Sequence, residues 1–231
     1  MSKMNAINKI KTVIRNPKVV IDYLFARNIK WEKSGDLKVK GYNSYDEYVG
    51  HQKKKVGLMS GDFLELGKEF GHNLEERIRI YGYAKRGMSV LCLGARLGYE
   101  VGAFINQGCF AVGVDLNPGK DNRYVVTGDF HNLVWADSSI DAVYTNSLDH
   151  SFDLEKVISE IVRVLKDGGF MFLEVCDGTE EGYKFDYYES CSWKRSSDVV
   201  DLFEKFGFME IADFRYRKPD IGKHVVLKLK K

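Results

Sequence analysis

The sequence predicts an α/β protein in three layers: a mostly parallel seven-stranded sheet ending in an antiparallel hairpin, flanked by helices and preceded by an N-terminal helical segment. Three observations predict it. Short apolar runs alternate with helical periodicity from about residue 73 onward. The 27 residues Ser89 to Asp115 read as strand, glycine turn, helix and second strand. The last two strand patterns, 208–216 and 223–229, are separated by a few residues around Pro219 and Asp220, too few for a parallel crossover, so they must pair antiparallel.

In chain order, Ile7, Ile10, Val13 and Ile14 recur at helical spacing, Asn16-Pro17 supplies a cap and first helical residue, and Val20, Tyr23 and Leu24 form a second stripe. A polar stretch runs from Asn28 to Asn43. Ser44-Tyr-Asp-Glu47 is a capping box that opens a helix carrying Tyr45, Tyr48, Val49, His51 and Gln52. These segments define an expected helical lid or appendage over residues 1–72 and a core over residues 73–231. The core begins with a helix from Leu74 to Lys85, capped by Asn73. Strands follow near 89–93, 110–114, 124–126, 141–145 and 170–175, before the terminal pair. The helix Leu154–Lys166 places Leu154, Val157, Ile158, Ile161 and Leu165 on one face, and Gly168-Gly169 ends it.

The 27-residue unit carries chemistry. Its first apolar run, Val90 to Leu93, stops at Gly94, where a side chain would obstruct both a sharp turn and a ligand pressed against the backbone. Gly98 and Gly102 keep the next helix close to its surroundings. The second run delivers Asp115 to a strand end, where a carboxylate can accept from ribose hydroxyls. Dinucleotide sites typically show G-x-G-x-x-G, and Arg96 interrupts that pattern in Gly94-Ala95-Arg96-Leu97-Gly98. A nucleoside is implied more strongly than a phosphate.

Further on stand Val125-Val-Thr-Gly-Asp-Phe130, Trp135 to His150 with Asn146-Ser147 at its strand end, and Val157 to Val175 with Leu165-Lys-Asp-Gly-Gly169. In order and spacing these resemble the successive motifs of the class I S-adenosylmethionine-dependent methyltransferases, from about Gly87 to Val175 and more loosely to the C-terminus. The resemblance implies a Rossmann-like core and S-adenosyl-L-methionine as cofactor. It places Gly94, Ala95, Arg96 and Gly98 at the methionine end, Asp115 and Leu116 at the ribose and adenine, Asp129 and Phe130 at the adenine, and Asn146 and Ser147 beside the sulfonium. The alternative for Asp129 is a turn residue after Gly128. The family usually has an acid at the position of Cys92 and a glycine at that of Arg96. Arg96 can pair with the cofactor carboxylate while Glu100, one turn on, takes the ammonium or orients Arg96, or both can be solvated.

Methyl transfer to a hydroxyl requires a base. His150, just beyond the Asn146-Ser147 strand end, is the first candidate, with Asp149 orienting it or acting in its place; the alternative is a histidine capping the next helix. His131 is expected to be a cofactor neighbour or structural, His51 an exposed helical residue able to reach an acceptor if its helix folds over, and His72 and His224 belong to no visible constellation. Asp149, Glu174 and Asp177 can approach one another, but no ligand pair is recognisable and no metal is assigned. The segment Asp177 to Trp193 is an aromatic-rich insertion in which Tyr183, Phe185, Tyr187, Tyr188 and Trp193 can stack on a sugar or planar ring, and Glu180, Glu181 and Asp186 can accept hydroxyl hydrogen bonds; otherwise it is a surface loop.

With 231 residues the chain suits one domain plus an appendage. Its net charge of +2 gives no electrostatic footprint for nucleic acid. Cys92, Cys109, Cys176 and Cys191 lack C-x-x-C spacing and read as reduced core residues. No membrane span or signal peptide is visible, so a cytoplasmic location is expected. The basic face of residues 3–27 suits either a packed helix pair or weak peripheral contact with an anionic membrane. The leading function is O-methylation of a small-molecule, sugar or polysaccharide-precursor hydroxyl. Its rivals are a nicotinamide-dependent oxidoreductase and a non-catalytic relative that binds the cofactor or a protein partner. Oligomeric state is not legible.

Overall fold

The computed structural model describes residues 29–35, 37–54, 61–185, 187–216 and 221–230. The helices expected before Asn28, the basic face of residues 3–27 and Asp186 lie outside them. The elements are β1 (Trp31–Ser34), β2 (Leu37–Lys40), α1 (Tyr45–Lys54), α2 (Gly61–Tyr81), β3 (Ser89–Leu93), α3 (Tyr99–Asn106), β4 (Phe110–Asp115) and β5 (Val125–Thr127). They continue with β6 (Ile140–Thr145), α4 (Leu154–Val164), β7 (Leu165–Cys176), β8 (Cys191–Ser192), α5 (Ser196–Lys205), β9 (Phe208–Tyr216) and β10 (Gly222–Leu229).

Seven strands form the main sheet in the order β5-β4-β3-β6-β7-β10-β9. The first five run parallel, and β10 is antiparallel to both β7 and β9, as the short final connection requires. Successive residues of a strand point to opposite faces, and here both faces are covered. Leu91 and Leu93 of β3 join the core under α4 and α5, while Val90 and Cys92 join the core under α2 and α3. That double burial is why the strand reads as an unbroken apolar run. In α4 the stripe Leu154, Val157, Ile158 and Ile161 faces the sheet, and the Asp153 carboxylate caps the helix by accepting the Lys156 N–H at 3.0 Å.

Three segments depart from expectation; in the first, α4 stops at Val164, and residues 165–169, expected to close that helix, already belong to β7. The polar stretch 28–43 contains the hairpin β1–β2, whose second strand pairs with β8 to make a separate three-stranded sheet. Leu37 and Val39 pack against the main core, and the buried Lys40 ammonium donates to the Tyr187 carbonyl. The insertion 177–193 is therefore pinned at its end by the second sheet and is not a free surface loop. The expected helix start at Asn73 is also displaced, because α2 begins at Gly61 and runs through residue 72. Its glycines mark a close approach: a Cβ on Gly67 would overlap the Tyr99 ring, and one on Gly71 would lie 3.2 Å from the Tyr99 Cβ. The helix stops at Tyr81, short of Lys85, with Gly82 in the left-handed conformation that ends helices (φ 64°).

Candidate active site

The carboxyl ends of β3, β4, β6 and β7 open onto one cavity of about 480 Å³ and an adjoining recess of about 30 Å³. Gly94, Arg96, Ser147 and His150 border both. The turn after β3 is drawn tightly to β4: Gly94 and Ala95 donate their backbone N–H groups to the Val114 carbonyl at 2.8 and 3.1 Å. Gly94 has φ 69°, and a Cβ there would lie 2.6 Å from the Cβ of Ser147. Its bare backbone is a steric requirement of the site. Arg96 holds a left-handed φ of 33° without being glycine, and its N–H is anchored by the Asp115 carboxylate at 3.1 Å. Gly98 does not border the cavity; it precedes α3 with φ 81°, where a Cβ would press on Val125 at 3.1 Å.

Asp115, Leu116 and Phe130 line the recess together with Tyr48 and Gln52 of α1. Helix α1 therefore lies across the end expected to take a nucleoside. A volume of about 30 Å³ admits water molecules but no purine, so a nucleoside base bound there requires the lining side chains to part. The Ser44 hydroxyl caps this helix by accepting the Glu47 N–H at 3.2 Å; the Glu47 carboxylate reaches back to the N–H of Asn43 at 2.7 Å, one residue before the box position.

Asp129 departs from its expected place. It lines neither cavity nor recess. One oxygen accepts the backbone N–H and Nδ1–H of His131 at 2.8 and 2.9 Å, and the other accepts the Tyr45 hydroxyl of α1. Burial would raise this carboxyl, but those donors hold it below the usual carboxylate range. His131 is fixed by the same network, since its Nε2 accepts backbone N–H groups of Phe152 and Asp153 at 3.1 and 3.3 Å. His51 is buried, not exposed; its Nδ1 lies 2.8 Å from the Tyr42 hydroxyl and its ring stacks on Tyr188.

Asn146, Ser147, Asp149 and His150 border the main cavity. The Nδ1 of His150 lies 2.9 Å from the Tyr188 carbonyl oxygen, which can only accept, so the neutral ring carries its proton on Nδ1 and presents Nε2 as the basic nitrogen. Asp149 Oδ2 lies 3.7 Å from that Nε2. The Tyr188 carbonyl also accepts the Gln52 amide at 2.8 Å, which ties α1 to the histidine. Of the insertion's aromatics, Tyr183 and Trp193 line the cavity, while Phe185 packs on Trp193 and Tyr187 packs on His51. Glu180 pairs with Arg195 at 3.0 Å, and Glu181 caps the backbone at Gly178 and Ser196.

One group of residues was missed. Glu174 of β7 lines the cavity and is 3% exposed; its Oε1 accepts Nε and Nη2 of Arg77 at 3.0 and 2.5 Å and meets His224 Nδ1 at 3.1 Å. Burial would raise Glu174, but His224 and Arg77 outweigh it and hold the carboxyl low. His224 stacks on Tyr81, and Arg77 lies over the ring of Tyr216, which also lines the cavity. The available signal was Arg77 itself, a charge between Leu74 and Ile78 on the buried stripe of α2. Asp177 is instead paired with Arg215 at 2.5 Å.

Residues 91–173 match the methyltransferase domain family. The chain is 30% identical over 160 residues to a sterol 24-C-methyltransferase of Gibberella zeae, covering 68% of this chain and 37% of that protein. It is 33% identical over 118 residues to a malonyl-[acyl-carrier protein] O-methyltransferase of Methylococcus capsulatus, covering 45% of this chain and 42% of that protein. The chain thus spans about two fifths of the length of these curated relatives. The solved structure of Burkholderia thailandensis 1,6-didemethyltoxoflavin-N1-methyltransferase, with bound 1,6-didemethyltoxoflavin and S-adenosylhomocysteine, superimposes over 87% of this chain and all of that one, with a TM-score of 0.68 at 14% identity. Glycine turn, strand order and sequence match agree: residues 91–173 are a methyltransferase domain, set in a fold of the class I S-adenosylmethionine-dependent kind.

Proposed function

We propose that this chain transfers a methyl group from S-adenosylmethionine to a hydroxyl of a small polar acceptor, a sugar or polysaccharide precursor in particular. The observation that carries the reading is the tautomer of His150, whose Nε2 is basic at the border shared by cavity and recess. When bound, the cofactor supplies a methyl group already activated by its sulfonium. The residues present fit it: Gly94 gives bare backbone, Asp115 a carboxylate at a strand end, and Leu116 and Phe130 apolar surface.

The protein's own residues then position and deprotonate the acceptor. Tyr183 and Trp193 offer ring faces to a sugar, and Asn146 and Ser147 offer polar groups at the β6 end. His150 Nε2 takes the hydroxyl proton, the Tyr188 carbonyl holds Nδ1–H throughout, and Asp149 at 3.7 Å stabilises the imidazolium that forms. General-base help of this kind contributes about 10²–10⁴ in rate. A panel of sugars and sugar nucleotides, assayed with S-adenosylmethionine, identifies the acceptor. With it, His150→Ala is expected to lower turnover by about 10²–10⁴ while leaving S-adenosylhomocysteine affinity within about threefold. The wild-type rate should rise with pH as the imidazolium gives up its proton, and the variant should lose that step. Retention of both rate and pH step in the variant would overturn the assignment of His150.

A further inference from the structure

S-adenosylmethionine carries an α-ammonium group, and four carboxylates border the cavity: Glu100, Asp149, Glu174 and Glu189. They are not equivalent. Glu174 already answers Arg77 and His224, so a further cation gains little there. Asp149 faces His150, and Glu189 belongs to the acceptor-side insertion beside Tyr188. Cys92, on the strand that leads into the glycine turn, is 0% exposed, and burial pushes its thiol up, so it stays neutral. Glu100 is different: it is 7% exposed, stands in the first turn of α3 directly after the glycine turn, and no salt bridge among the described residues reaches it.

Resting on the cofactor assignment above, we propose that Glu100 is the acid that receives the α-ammonium group of S-adenosylmethionine. The charged and titratable groups facing it are Arg96 of the turn, Asp115 of β4, Cys92 of β3, Tyr144 of β6 and Glu174 of β7. Burial, with Asp115 and Glu174 nearby, pushes the Glu100 carboxyl up to about 8, against the smaller opposing pull of its own backbone N–H and Arg96. Near neutral pH it therefore holds a proton until a cation arrives. Seating an ammonium against it favours the carboxylate, and the proton passes to the buffer.

Calorimetry of S-adenosylhomocysteine binding at pH 7, repeated in buffers of different ionisation enthalpy, counts that proton. The wild-type protein is expected to release a large part of one proton with S-adenosylhomocysteine and none with 5′-methylthioadenosine, which has no amino-acid group. Glu100→Gln, which retains the shape of the protonated side chain, should abolish the release and weaken S-adenosylhomocysteine by about tenfold or more, with 5′-methylthioadenosine changed less than about twofold. Binding of S-adenosylhomocysteine without buffer dependence in the wild type, or unchanged affinity and proton count in Glu100→Gln, would overturn the proposal. If neither ligand binds the wild type, the cofactor assignment fails and takes the proposal with it.

Discussion

Two walls of the same cavity each present a buried glutamate, and their protonation runs in opposite directions. On the β7 wall, Glu174 is drawn into a cluster from three elements, with Arg77 of α2 and His224 of β10 meeting one of its oxygens, and it stays charged. On the α3 wall, Glu100 is nearly as buried, but no salt bridge among the described residues reaches it and it is pushed up to about 8. The comparison teaches that burial alone does not set the charge of this cavity; the partners within hydrogen-bond reach do. The β7 wall is finished before any ligand arrives, whereas the α3 wall is left to be completed by one.

The largest expected effect comes from making the finished wall resemble the other. Arg77→Met removes the cation and leaves Glu174 buried beside His224, which should cost about 3–5 kcal/mol of stability in chemical denaturation. Adding Glu174→Gln should recover part of that loss, because the uncompensated charge is gone. A single variant within about 1 kcal/mol of wild type would mean that the Arg77–Glu174 pair contributes no more than an exposed one.

How much of these walls was legible in the sequence follows from the range of the interactions. Gly94, Asp115 and the β3–α3–β4 unit lie within 27 residues and obey local rules, so the sequence pattern finds them. The missing G-x-G-x-x-G correctly pointed away from a nicotinamide enzyme. The Glu174 cluster joins residues 77, 174 and 224, and no local pattern announces a contact of that separation. The β1–β2 hairpin escaped for the same reason. Leu37-Lys-Val-Lys alternates apolar and polar residues as a half-buried strand does, but four residues are too short a run to decide, and the ladder is completed far along the chain by Cys191 and Ser192. Gly67 and Gly71 were helix breakers by propensity, and only the packing of Tyr99 against α2 explains them. Asp129 had the right spacing, but its donors come from Tyr45 and His131, and the phenol's approach from α1 could not be read.

A smaller effect tests the turn that carries the α3 wall. The Asp115 carboxylate accepts the backbone N–H of Arg96 at 3.1 Å and of Asn117 at 2.7 Å, so it holds the turn as well as facing the recess. Asp115→Ala should weaken S-adenosylhomocysteine by about 1.5–3 kcal/mol, the range for a lost charge-assisted hydrogen bond. Unchanged affinity by calorimetry would remove Asp115 from the site. Arg96→Ala should weaken S-adenosylhomocysteine more than adenosine if the guanidinium meets the amino-acid carboxylate. Equal losses would assign Arg96 a purely structural role.

The smallest effect is a slope, and its sign separates the two walls. Between the ordinary glutamate range and about 8, the folded protein keeps a proton on Glu100 that the unfolded chain has released. Stability without ligand should therefore fall as pH rises through that window and stop falling from this cause above it. Glu174 acts in the opposite sense: its carboxyl is held low, so its contribution is present above the ordinary range and is lost as pH falls toward its folded value. Melting temperatures of wild type, Glu100→Gln and Arg77→Met across about pH 2–9 resolve the two. Glu100→Gln should flatten the slope between pH 4.5 and about 8 and leave the more acid side unchanged, while Arg77→Met should weaken the acid-side dependence. A fall in stability between pH 4.5 and about 8 that survives Glu100→Gln would place the titrating group elsewhere and remove the asymmetry between the walls.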